Sequence, residues 1–379
     1  MTQSKIIYQE TNPYSSFTAF LEEDERTTYL YLQCENNPEW GIKSLWIRNH
    51  IPAPKVRDED DFRRGLAPIL LQEEVFQSEG LPSLAGEDIH FIWTEEGDGV
   101  FLFVNEEMEA FLPAWSGVQG FHGYSRGAKE SAITASPLGD PNTGVLYDRM
   151  TASRSYWEFR AKENSWSEIQ KKRLEYLELH FGPHEKYWSA DGGKFPKLGI
   201  ASFRPQIYPG VKVFATIGMS AQNQPGVELF HKDFERFSRV ELLLAFQIPE
   251  NSDRSEEWVQ HLIGEMIKFP WNTGKWFGHG HTLGMNRRDP DQLYLNFTSS
   301  VLRNLSAPEY YYLPGRVPKL SDLISENGQP VNFLAILPIT EEEKLLIQTE
   351  GSRKFFDQMD NENLSWIHNP ERNFILGSG

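Results

Sequence analysis

The chain has 379 residues, 54 of them acidic and 37 basic, giving a formal charge of −17 and a sequence pI near 5.1. That sign disfavours attraction to a phosphate backbone, so direct binding to nucleic acid is not expected. The length exceeds one ordinary core and is read as two domains, for which 39% hydrophobic and 13% aromatic content is ample.

One cysteine, Cys34, excludes an intramolecular disulfide and suits a reducing compartment. The start of the sequence shows no signal-peptide pattern, and no window approaches about 18 consecutive apolar residues. A cytoplasmic protein with no membrane association is expected. The acidity is uneven: residues 1–160 hold 26 acidic against 13 basic side chains, or −13, leaving 28 against 24, or −4, for the remainder. A field of that sign in the front half speeds encounter with a basic protein, and it also serves solubility.

Residues 1–160 read as short strands broken by turns. Residues 27–33 and 42–47 carry branched and aromatic residues, and Pro52-Ala-Pro54 ends the second run. A charged loop over 57–64 precedes an expected short helix over 66–76. Residues 89–93 and 100–104 are expected as antiparallel strands joined through the turn Glu95-Glu96-Gly97-Asp98-Gly99. From 127 to 142 Gly, Pro and Ser accumulate without periodicity, as in a long connection, and the domain boundary is placed near 160.

Residues 161–379 open with Ser165-x-x-Glu168, a capping-box pattern, and a helix running to His180 with Ile169, Leu174, Tyr176 and Leu177 as its apolar stripe. Apolar residues occupy every second position over 211–219 and again over 240–248. In the second run Leu243 and Ala245 are apolar too, so that strand is expected to be covered on both faces. Asp253-Arg-Ser-Glu256 reads as the cap of a helix that closes at Pro270. Thr340-Glu-Glu-Glu343 reads as another capping box, feeding a helix that carries Leu345, Leu346, Phe355 and Phe356. The expected fold class is α+β: two domains, each a mixed or antiparallel sheet flanked by helices.

Several patterns bear on chemistry. His279 and His281, two apart in Gly278-His-Gly-His281, can share a metal on an extended backbone, with His231, Glu241 or Asp289 as a further ligand; alternatively the glycines make a tight turn and the imidazoles bond to backbone. Glu95, Glu96 and Asp98 supply hard oxygen ligands but lack the register of a calcium loop, so an acidic turn that meets a partner's lysines is preferred. Gly123-Tyr-Ser125-Arg-Gly127 matches the Gly-x-Ser-x-Gly elbow of serine hydrolases, yet neither a buried apolar strand before it nor a helix after it is expected. Cys34 lies among polar residues with nothing to activate a thiol. No phosphate-cradling loop is present, since Asp191-Gly-Gly-Lys194 is too short. Tyr310, Tyr311 and Tyr312, before Leu-Pro-Gly315, form an aromatic cluster suited either to anchoring a partner or to locking their own loop. Catalytic, cofactor-binding and metal sites are not expected.

Three segments together resemble the suppressor of fused (SUFU) domain: Val213-Phe-Ala-Thr-Ile-Gly218-Met-Ser220 with Glu241-Leu-Leu-Leu-Ala-Phe-Gln247, Phe269-Pro-Trp-Asn-Thr-Gly-Lys-Trp276-Phe-Gly-His279-Gly-His281, and Val331-Asn-Phe-Leu-Ala-Ile-Leu-Pro-Ile-Thr340-Glu-Glu-Glu343. The N-terminal half is similar to the leading domain of bacterial SUFU-domain chains through Trp46-Ile-Arg-Asn49, Trp93-Thr-Glu-Glu-Gly-Asp98-Gly99 and Pro113-Ala-Trp-Ser-Gly117 with Phe121-His-Gly-Tyr124. The resemblance implies a binder rather than a catalyst: an immunity protein that neutralises a cognate polymorphic toxin, a nuclease or a translation-targeting toxin, by occluding its active site. A scaffold that sequesters an endogenous protein is the alternative, and a metal-dependent hydrolase a further one.

Overall fold

A computed structural model of the protein describes residues 4–248, 257–285, 297–306, 318, 320–361, 366–369, 372 and 375. The fold is α+β, and the chain divides into two units: Met1–Lys162 with Trp271–Lys275, and Glu163–Pro270 with Trp276–Gly379.

In the first unit β1 (Lys5–Thr11), β2 (Phe17–Glu23), β3 (Thr27–Cys34) and β4 (Ile42–Asn49) form an antiparallel meander. The strand period of two puts Ala19, Leu21, Leu30 and Leu32 on one face, where all are fully buried. Phe20, Glu22, Tyr29 and Tyr31 share the other face as the cross-strand pairs Phe20↔Tyr31 and Glu22↔Tyr29. The helix expected over 66–76 does not form; a short α1 (Glu59–Arg63) lies upstream instead. Outside partners hold the backbone of that stretch irregular: Asn49 accepts from the Leu70 N–H (3.2 Å) and donates to its carbonyl (2.8 Å), the Tyr29 hydroxyl donates to the Pro68 carbonyl (2.7 Å), and the Gln72 N–H donates to the Pro54 carbonyl (3.0 Å).

A second sheet runs β5 (Ile89–Trp93), β6 (Val100–Val104), β7 (Glu107–Leu112), β8 (Tyr124–Ser125) and β9 (Ser136–Pro137), with β5 and β6 antiparallel as expected. α2 (Gly144–Arg160) has no counterpart among the expected elements, because its inward face is only Met150, Ser153 and Tyr156 and gives almost no apolar periodicity. Trp271–Lys275 folds into this unit: Trp271 is buried with its ring 6.1 Å from that of Tyr14, and the Asn37 amide donates to the Thr273 carbonyl at 2.7 Å.

The second unit begins with α3 (Ser165–Phe181). Its N-cap is Asn164 rather than Ser165, and no side chain caps its amides; the Asn164 amide instead donates to Glu168. The buried stripe is Ile169, Arg173, Leu177 and Phe181, spaced by four. Among the described residues an eight-stranded sheet runs β10 (His184–Ser189), β11 (Gly199–Phe203), β12 (Val211–Ile217), β13 (Val240–Gln247), β16 (Asn332–Ile339), β15 (Ser299–Asn304), β14 (Thr282–Gly284), with β17 (Ile367–His368) added to β13. β13 pairs in parallel with β16 and β17 and the other ladders are antiparallel, so the sheet is mixed. Every residue of β12 and β16, and all of β13 except Gln247, is buried, as the two-sided apolar pattern of 240–248 requires.

Helices α4 (Glu257–Met266), α5 (Phe269–Thr273), α6 (Glu341–Glu350) and α7 (Ser352–Asn361) complete the elements; the expected cap at 253–256 lies outside the described residues. The Thr340 capping box is formed: its hydroxyl accepts from the Glu343 N–H (3.2 Å) while the Glu343 carboxylate accepts from the Thr340 N–H (3.0 Å). The helix it starts is shorter than expected. Gly351, at φ +89, ends α6, and Phe355 and Phe356 are carried by α7.

Candidate functional site

The acidic turn after β5 is a structural joint. Thr94 closes it by donating its N–H to the Gly99 carbonyl (2.9 Å) and accepting from the Gly99 N–H at its hydroxyl (3.2 Å). From the β1–β2 connection the Tyr14 hydroxyl donates to the Glu95 carbonyl (2.7 Å) and the Asn12 amide to the Gly97 carbonyl (2.9 Å). Gly97 sits at φ +79, and a Cβ there would lie 2.5 Å from the Tyr14 ring. Glu95, Glu96 and Asp98 are 8%, 8% and 1% exposed, and Glu96 lies 3.9 Å from Arg149. These carboxylates are therefore turned inward rather than displayed, a placement the local sequence does not signal. Tyr310, Tyr311 and Tyr312 lie outside the described residues.

The Gly278–His281 segment makes the tight turn with backbone-bonded imidazoles. Gly280 adopts φ +81, the Asn304 N–H donates to Nδ1 of His279 (3.1 Å), and Nδ1 of His281 bonds the Trp276 carbonyl (3.2 Å). Burial, reinforced by Arg303, pulls the His279 pKa down to about 4; burial also lowers that of His281, with His231 adding to the effect. His231 packs on Phe237 and Trp276. Asp289 lies outside the described residues, and among those described no group of three or more His, Cys, Asp or Glu is placed to hold a metal ion.

Glu241 is committed elsewhere. Fully buried on β13, its carboxylate accepts from the Thr216 hydroxyl (2.6 Å), the Gly218 N–H (2.8 Å), and the Ser220 N–H and hydroxyl (3.1 and 2.7 Å). Arg173 of α3 stands 3.4 Å from it and makes a two-pronged bond to Glu326 (2.7 and 3.0 Å). Burial raises the Glu241 pKa, while Arg173 and the converging donors oppose that rise. The sequence carries two signals of this network: an arginine at a stripe position of α3, and a glutamate inside the apolar run 240–246.

Ser125 is fully buried and donates to the Ile47 carbonyl at 3.4 Å. The glycines around it allow close packing: a Cβ at Gly123 would meet the Phe111 carbonyl at 2.9 Å, and one at Gly127 the Trp46 ring at 3.2 Å. Burial pushes the Cys34 thiol up, away from the reactive thiolate.

Residues 194–373 match the family model described as Suppressor of fused protein (SUFU). The chain carries a SUFU domain. Two solved structures are similar to it: a putative SUFU homolog from Neisseria gonorrhoeae, 15% identical, covering 56% of this chain and 100% of that one at a TM-score of 0.39, and the Sufu-Fu complex, 13% identical, covering 54% and 91% at a TM-score of 0.39. A search of curated proteins finds no match. Within the SUFU match, Gly218 and Glu241 belong to one buried network, His279 bonds β15 through Asn304, and Thr340 with Glu343 caps α6, so these positions from the three segments serve the architecture of the domain. Upstream of it, Trp46 donates to Asn49 (2.9 Å), Trp93 to Glu10 (2.7 Å) and Trp157 to the Trp93 carbonyl (2.8 Å), which gives the tryptophan motifs of the first unit a structural purpose.

Proposed function

We propose that this chain is an immunity protein that binds a cognate polymorphic toxin, a nuclease or a translation-targeting toxin, and occludes its active site without catalysis. The SUFU domain over 194–373 carries the reading, because the resemblance that includes it implies a binder. A charge of −13 over residues 1–160 supports a basic partner, through faster encounter at low ionic strength. The hydrolase alternative loses support from geometry: Ser125 is buried on a carbonyl, and Glu241 is bound by other groups than the two histidines.

Affinity purification of the tagged chain from its native host, with mass spectrometry of what it retains, tests the proposal. A stoichiometric basic toxin fragment is expected. Recovery of an endogenous regulator would replace immunity with sequestration, the same occlusive mechanism directed at a different partner.

A further inference from the structure

A cavity of about 710 Å³ opens on the outer face of the first sheet, lined by Glu22, Asp24, Tyr29 and Tyr31 of the β2–β3 hairpin and by Arg64 and Leu66 opposite. That volume lies in the range of small-ligand sites. Most of its charge is already matched: Glu23 by Lys5 (3.0 Å), Asp24 by Arg26 (2.9 Å) and Arg64 by Asp61 (2.5 Å). Among the described residues Glu22 has no hydrogen-bond or ion-pair partner, and neither does the hydroxyl of Tyr31. Phe20, Tyr31 and Tyr29 lie in a row beside them, with ring centroids 5.1 and 6.0 Å apart.

From these observations we infer that the cavity receives an arginine side chain of a protein partner, its guanidinium on Glu22 and Tyr31 and its aliphatic stem over the aromatic row. One surplus carboxylate calls for one positive charge and repels phosphate. It is too few for a calcium ion, which takes six to eight oxygens. A guanidinium offers a planar fork that meets a carboxylate with two parallel bonds and lies readily against aromatic rings, which a compact ammonium does less well. Burial, and after it Glu22 and Asp24, push the Tyr31 pKa up to about 12, so its hydroxyl stays protonated beside the carboxylate.

The inference deepens the proposed function and rests on it for the source of the arginine. Calorimetric titration of the full chain with acetyl-Gly-Arg-Gly-amide tests the cavity alone, beside the citrulline peptide, which keeps the shape and loses the charge. Saturable binding of the arginine peptide, none of the citrulline peptide, and a loss of about tenfold or more in Glu22→Gln are expected. Equal binding of both peptides, no saturation, or an unchanged Glu22→Gln variant overturns it; Glu22 lies outside the core, and a matching thermal melt verifies that the variant is folded. The partner experiment separates the two ideas. A basic partner retained equally by native protein and Glu22→Gln removes the cavity from the interface and leaves the immunity reading standing. Peptide binding with no basic partner recovered overturns the immunity reading and keeps the cation site.

Discussion

Arg173 shows how a single side chain can govern the second unit. It is 1% exposed and is shared by Ser220, Glu241 and Glu326, so truncating it leaves Glu241 without its cationic neighbour in the interior. Arg173→Ala is expected to cost about 3–5 kcal/mol in denaturant unfolding, the range for breaking a buried pair. Two histidines make stability fall in acid. Burial holds His279 near a pKa of about 4 and His368, helped by Arg372, near about 3, both below the ordinary 6.5. In the unfolded chain each takes up a proton below about pH 6.5, whereas in the folded chain it stays neutral until its lowered pKa is reached. Stability is therefore full above that pH and falls on acidification, by about 1.4 kcal/mol per pH unit for each histidine while the pH lies between the two values. Melting temperature measured from pH 7 to pH 4.5 should show this slope, and a His368→Asn variant should flatten it; an unchanged slope would count against the assignment.

At the level of elements, Glu343 serves two ends at once. Its carboxylate closes the capping box of α6 and also receives Arg372 (2.5 and 2.7 Å) and the Ile375 N–H (2.9 Å). Thr340→Ala removes one capping bond and should cost about 1 kcal/mol, while Glu343→Ala also strands Arg372 and should cost about 3–5 kcal/mol. Thermal melts of the two variants measure the difference, and equal losses would show that Arg372 adds nothing. The turn at 95–99 behaves in the same way. Because its carboxylates are buried, reversing Glu95, Glu96 and Asp98 together is expected to lower the melting temperature sharply rather than to tune affinity; a variant with unchanged melting would return these residues to the surface contacts expected from sequence.

For the molecule as a whole, charge is the lever. With −13 of the −17 formal charge in residues 1–160, association with a basic partner should slow by about tenfold or more as salt rises from low ionic strength to about 0.15 M, where the screening length is about 8 Å. Stopped-flow association rates measure it, and a rate indifferent to salt would remove steering from the mechanism. The five residues Trp271–Lys275 add a second effect at this scale, because they lie within the SUFU match yet fold with the first unit. Gly274, at φ +66, would place a Cβ 2.9 Å from Phe17 and 3.0 Å from Trp40, so Gly274→Ala is expected to destabilise the first unit, read as a lower melting temperature.

What the sequence by itself determined was local or periodic: the alternation over 211–217 and 240–246, the β5–β6 hairpin, the Thr340 cap and the uneven charge, each written into neighbouring residues. The SUFU resemblance was legible for the same reason, since its segments are strands, a short helix and turns whose residue patterns are local. Tertiary structure alone decided the rest. It buried Glu95, Glu96 and Asp98, in a turn whose carbonyls are held by Tyr14 and Asn12, some 80 residues earlier. It built α2 from a stretch with little periodicity, and it held 66–76 out of a helix through distant side chains, Tyr29 and Asn49 among them, that bind its backbone. It also opened the cavity beside Glu22, where a hairpin face meets a loop some 40 residues away. No rule of spacing along the chain reports such a meeting, because the groups that make it become neighbours only when the sheet forms.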